Sequence, residues 1–384
     1  MTHRTTRRDF LRGHSGGADS QARRRASNDL DLASDSSADL PLLQIARPAM
    51  ACEFQIVFNA GQYAQATEAA MEALDRIETL EERWSYFRPA SQISRLNLVA
   101  AEMAVEVDAE LFDLLCLART IHDETDGAFD ITSAPLWEVW GFARRQGALP
   151  DETEVAEALS LVGGHYVKLD PARRTVHFAR HGVRVNLGSI GKGYALDRAA
   201  ELLTARGLGD FLFHGGQSSV LARGSRAGPG GAASTGPGWI VGVKHPLRPK
   251  RRLAEIRLCD RALGTSGSAM QFFRHRGRRY AHILDPRTGR PAEGVLSVTV
   301  VASNAAVADA LSTAFFVLGP QAAETYCRNH PGVAALFACP SPGSERLEIH
   351  AFGFGPDELR LPGEGSASAG PAPDEHAAPA PPPN

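Results

Sequence analysis

The run from Ala305 to Leu318, AAVADALSTAFFVL, constrains this chain more than any other, because it is apolar at almost every position. A helix of that composition has no polar face to offer water, so it is expected to be buried on most sides in a core that the rest of the chain builds. Asp309 and Thr313 interrupt it at a spacing of four. That spacing sets a carboxylate and a hydroxyl on one face a turn apart, and both are hard oxygen donors of the kind Mg2+ or Ca2+ takes. A structural reading stands beside this one: Asp309 complements the helix dipole and Thr313 bonds back to its own backbone. Upstream, from Tyr280, the same stretch carries His282 and an Asp-Pro-Arg-Thr-Gly turn.

Composition narrows the options. With 384 residues, 43% of them hydrophobic, the chain can fill one large core or two ordinary ones. A formal net charge of -3 without a dominant charged block gives no reason to expect nucleic acid or an anionic membrane surface as partner. Five scattered cysteines lack zinc spacing and read as reduced thiols. No apolar run approaches the roughly 20 residues of a membrane span. Residues 1–41 and 362–384 are poor in large apolar side chains, and 225–238 is nearly all small residues, so two disordered tails and a flexible insertion are expected around a domain at 42–361. Arg7, Arg8, Phe10 and Leu11 match a twin-arginine export signal, but the residues that follow are polar where such a signal needs an apolar segment, and the cytoplasm is the favoured compartment.

Within the domain, alternation around Phe54, Ile56 and Phe58 predicts a strand that follows a turn at Met50 to Cys52. Helical spacing predicts amphipathic helices over Tyr63–Glu82 and Leu111–Thr125. Trp84 and Phe87 head an aromatic cluster that either staples a helix end or stacks on a ligand. Asp126, Asp130 and Thr132 lie among Phe129, Trp137 and Trp140, a mixture that suggests a pocket wall. Val183–Leu187, a loop holding Gly188, Gly191 and Gly193, and a helix from about Tyr194 give the strand, glycine loop and helix order that cradles phosphate, with Lys192 at the helix start. A paired-glycine break at Gly215 and Gly216 marks a strand where backbone or ligand approaches closely.

Read together and in order over Met50 to Gly319, TDGAFDITSAPLWEVWGF, IGKGYALDRAAELL, the Gly-Gly strand, the Thr265–Gly267 triplet, HILDPRTGRP and the final Asp-Ala-Leu-x-Thr helix resemble the ApbE family of FAD:protein FMN transferases. The resemblance implies an α+β fold, one catalytic domain of mixed, mainly antiparallel sheet with packed helices. It implies Mg2+-dependent transfer of FMN from the substrate FAD to a threonine hydroxyl of an acceptor protein, with release of AMP. It also implies a metal site of Asp309, Thr313 and the Ser189 carbonyl, and an FAD site lined by Met50, Phe87, Ala128, Phe129, Asp130, Asn186, Lys192 and the backbone at Ile283. His282 would accept the proton of the attacking hydroxyl; Asp285 is expected to hold its turn. Water in place of threonine would instead give FAD hydrolysis to FMN and AMP. The chain departs from the family at Ala51 and Cys52, where Gly and Thr are usual, at Phe87 for Tyr, and at Asn186 and Gln217, which replace acidic residues. The last two departures leave open a member that binds flavin with little turnover.

Overall fold

The computed structural model describes residues 41–362 apart from 145, 228–236, 269–270, 342 and 344–345. The expected tails, most of the insertion and the Arg7–Arg8 pair therefore lie outside the described residues.

Eight strands form the main sheet: β1 Leu42–Ala49, β2 Cys52–Asn59, β3 Phe211–Gly215, β4 Ser219–Arg223, β5 Ala262–Gly267, β6 Ser297–Ala302, β7 Ala334–Pro340 and β8 Leu347–Phe352. They lie side by side in chain order, and every pairing is antiparallel. Strand periodicity decides the layers. Phe54, Ile56 and Phe58 point from β2 into one core with Phe211 and Phe213 of β3. Val57 and Leu212 point the other way, into a second core with Trp239, Val241, Ile256 and Leu258. Those residues belong to strands Trp239–His245 and Arg248–Leu258, which form a small sheet with Leu359–Arg360. The first face is covered by helices α1 Ala66–Trp84, α2 Gly191–Ala205 and α3 Ala305–Leu318.

The apolar run is a helix over the whole expected span, and ten of its fourteen residues are buried. Asn304 caps it by accepting from Val307 N at 2.9 Å. Asp197, on α2, accepts from Ala305 N and Ala306 N at 2.8 and 2.9 Å. One carboxylate thus satisfies two of the N–H groups that a helix start leaves without partners. Burial pushes that carboxyl up to about 6, against the pull of the two N–H groups.

Two glycines set how closely the elements meet. A Cβ on Gly193 would stand 2.0 Å from Ala305 O, and one on Gly264 would stand 2.4 Å from Ala308 O. Helix α3 therefore rests directly on the backbone of α2 and β5. Gly193→Ala should cost about 3 kcal/mol or more, since the obstructing atoms are backbone and cannot swing aside. A lower urea midpoint at an unchanged slope would show it.

Two expectations need correction. Val183–Leu187 joins no sheet: Asn186 N donates to Ile131 O at 2.8 Å, and Val185 is held by the Asn97 side chain. Its amide donates to Val185 O at 2.9 Å, and its carbonyl accepts from Val185 N at 2.8 Å. Helix α2 begins at Gly191 rather than Tyr194, which puts Lys192 and Gly193 in its first turn. Among the described residues no helix is long and apolar enough to cross a membrane.

Candidate functional site

The polar residues of α3 open onto a cleft of about 410 Å³, within the range of small-molecule sites. Its floor is Asp309, Ser312 and Thr313 of α3, with Thr265, Ser266 and Gly267 from the end of β5. One wall is the glycine loop and the start of α2, with Asn186, Gly188, Ser189 and Lys192. The opposite wall is the aromatic and acidic segment with Ala128, Asp130 and Trp137, and the rim holds Phe87, Gln271, His282 and Ile283. Every residue expected at the site lies on this cleft except Met50 and Phe129.

Neither of these two lines it. Phe129 is wholly buried in the main core, so its side chain anchors the segment that presents Ala128 and Asp130. Met50 sits in the tight turn between β1 and β2, where Met50 and Ala51 both take positive φ. The Glu81 carboxylate holds that turn by accepting from Met50 N at 2.8 Å.

Asp309 is 6% exposed, and both its oxygens are engaged. Oδ1 accepts from Ser219 Oγ and Oδ2 from Gly193 N, each at 2.7 Å. Gly193 is the third residue of α2, so its N–H is one of the donors that a helix start leaves without an intrahelical partner. Asp309 supplies that partner, so the carboxylate complements the dipole of α2 rather than that of its own helix. Burial pushes the Asp309 carboxyl well above the usual carboxylate range, against the pull of Lys192, Ser219 and Gly193. Thr313 Oγ1 reaches Asp309 O only at 3.5 Å and Ser266 Oγ at 3.4 Å, so neither hydrogen bond is a short one. Asp309, Thr313 and the Ser189 carbonyl are an oxygen-only donor set that suits a hard cation. Among the described residues no group of three or more His, Cys, Asp or Glu side chains offers a rival metal site.

Lys192 donates to Ser218 Oγ, and Ser218 lies 3.4 Å from Ser219 Oγ. A polar chain thus links the lysine to the carboxylate. Asn186 Oδ1 accepts from Gly188 N at 2.8 Å, so the residue that replaces an acid keeps the acceptor that shapes the glycine loop. Asp130 accepts from Thr132 N, Thr132 Oγ1 and Gly164 N at 2.7, 2.6 and 3.0 Å and so braces its own wall. Gln217 is outside the cleft, and its Oε1 accepts from Lys244 at 3.1 Å.

His282 Nδ1 lies 3.1 Å from Gln271 O. A carbonyl only accepts, so Nδ1 carries the proton and Nε2 keeps its lone pair. Burial and the nearby Lys192 charge lower the imidazole pKa, against the Gln271 carbonyl, so the ring is neutral at pH 7. Asp285 takes no part in this; it accepts from Arg287 N, Nε and an η nitrogen, each at 2.9 Å, and holds the turn. Phe87, 65% exposed, offers its ring at the cleft edge, while Tyr86 donates its hydroxyl to Glu138 at 2.5 Å.

Sequence reasoning missed Ser218, Ser219 and Asp197. The serines follow the Gly-Gly break after one intervening residue, Gln217, and Asp197 stands one helical turn after Gly193, the face on which α2 meets α3; those spacings were the available signals.

Comparison with known proteins gives the chain a family. The sequence pattern of the ApbE family matches residues 50–337. The FAD:protein FMN transferase of Treponema pallidum is 33% identical over 292 residues, covering 74% of this chain and 80% of its own. That of Haemophilus influenzae is 30% identical over 67% of this chain and 75% of its own. The crystal structure of the ApbE protein from Thermotoga maritima superposes with a TM-score of 0.71 at 31% identity, over 81% of this chain and 97% of its own. With pattern, sequence and architecture in agreement, the chain belongs to the ApbE family.

Proposed function

We propose that the domain at 42–361 transfers FMN from FAD to a threonine hydroxyl of an acceptor protein in a Mg2+-dependent reaction that releases AMP. The observation that carries this reading is the meeting, in one cleft, of Asp309, Thr313 and Ser189 with Lys192 and with a neutral His282 whose Nε2 is free to accept a proton.

Lys192 and the α2 N-terminus bind the diphosphate of FAD and offset its negative charge, while Phe87 and Trp137 offer rings for the flavin and adenine. His282 Nε2 takes the proton of the acceptor hydroxyl as its oxygen bonds to the FMN phosphorus. The bond from that phosphorus to the bridging oxygen breaks, and AMP leaves with the electron pair. Asp309, Thr313 and the Ser189 carbonyl would hold Mg2+, which would supply further neutralisation of the diphosphate.

Incubation of the purified chain with FAD and Mg2+, with and without a threonine-containing acceptor, tests this. The expected result is covalent yellow fluorescence on the acceptor in a gel, one AMP per flavin attached, and loss of both in EDTA. Free FMN formed at the same rate with or without acceptor would make the activity hydrolysis, and no product in either case would leave only flavin binding.

A further inference from the structure

Between Gln271 and His282, both on the cleft, the chain makes a hairpin of strands Phe272–His275 and Arg278–Ala281. Its register places Arg274 directly opposite Arg279. Like charges in that position oppose strand pairing, so the hairpin is held by other means. One face supplies them: Phe273 stacks on Tyr280 at 5.1 Å, and both pack on Trp140. The other face carries Phe272, 42% exposed, with the Arg279 guanidinium 3.9 Å above its ring. Arg278 pairs with Glu293 at 2.5 Å, and Arg279 donates to Ser268 O. Arg274 and Arg276 are exposed and form no ion pair among the described residues.

We infer that this hairpin is the docking surface for the acceptor protein, and that the acceptor presents acidic residues beside its modified threonine. The inference rests on the transferase reading. On that reading the FAD phosphates belong at Lys192 and the start of α2, which leaves the hairpin cations to the second substrate. A hairpin whose bases flank His282 rises beside any hydroxyl delivered to Nε2. Strand rise is about 3.3 Å per residue, so Arg274 to Arg276 match acids roughly three to five residues from the threonine on an extended segment. An acidic partner also relieves the opposed cations, so binding stabilises what the free hairpin holds at a cost.

The test uses the full chain with FAD and Mg2+ and two labelled peptides that share one threonine. One carries glutamates at those positions and the other carries glutamines. Fluorescence anisotropy reads binding and gel fluorescence reads transfer. The glutamate peptide is expected to bind at least about tenfold tighter at low ionic strength, with the gap closing near 0.5 M salt. Arg274→Glu with Arg276→Glu should remove the preference while FAD affinity stays unchanged and the melting temperature does not fall, since a glutamate at position 274 would face Arg279 with the opposite charge. Equal binding of the two peptides, or an unaltered preference in the double variant, overturns the inference. So does tighter binding to an oligothymidylate or to phosphatidylserine vesicles than to the glutamate peptide, since the patch would then serve nucleic acid or membrane. Selective binding without transfer to either peptide would keep the docking surface and refute the transferase reading, and transfer to both peptides alike would do the reverse.

Discussion

Asp309→Asn is expected to lower FMN transfer by about a hundred- to a thousandfold and to leave the cation-free fold as stable as before or firmer. The two effects have one cause. Burial holds the folded Asp309 carboxyl above its unfolded value. A raised carboxyl contributes stability at pH below the unfolded value and loses it as pH rises through the folded value. At pH 8 without metal the unfolded carboxyl is ionised while the buried one resists ionisation, and the site therefore counts against the fold. Asparagine removes the charge and keeps the bonds: its Oδ1 can accept from Gly193 N, and its amide can donate to Ser219 Oγ, which now accepts. Melting in EDTA at pH 8 should show the variant at or above the parent. Mg2+ at about 100 times its dissociation constant should then stabilise the parent by about 2.7 kcal/mol and leave the variant where it was. Normal transfer by Asp309→Asn, or an equal response of both proteins to Mg2+, would remove the carboxylate from the metal site.

His282→Gln is expected to cost about a hundredfold or more in transfer rate and to flatten its pH dependence. Glutamine keeps a donor for the Gln271 carbonyl but has no proton acceptor of useful basicity. In the parent, only the neutral ring accepts the proton, so the rate falls on the acid side as the ring protonates. Burial sets that acid limb below the ordinary histidine value of 6.5. A parent profile with its acid midpoint above 6.5, or a variant that retains the limb, would assign the limb to another group.

What could be read from the sequence divides along a physical line. The buried helix was legible because fourteen mostly apolar residues leave it no choice, and its Asp309 and Thr313 share a face by helical spacing alone. The strands of the main sheet were legible where residues alternate, as at Phe54, Ile56 and Phe58. Val183–Leu187 has the same look but no ladder: its partners are the side chain of Asn97, 88 residues away, and the Ile131 carbonyl, and no local pattern announces them. Asp130 was correctly placed on a pocket wall, yet its bond to Gly164 N makes it a brace. Met50 sits in a turn that the Glu81 side chain holds through the Met50 N–H, a partner 31 residues away. Long-range side-chain to backbone bonds of this kind decide much of the site, and they carry no periodicity to read.

The glycine contacts bear on how far such a protein can drift. With Gly193 seated on Ala305 and Gly264 on Ala308, the span from the Ser189 carbonyl to Asp309 is set by peptide dimensions rather than by side-chain size. Exchanges of one aliphatic residue for another elsewhere in the core can accumulate without widening or narrowing that gap. A chain and a relative that agree at only 33% of aligned positions can thus hold the same two points at the same separation, as long as neither glycine acquires a side chain.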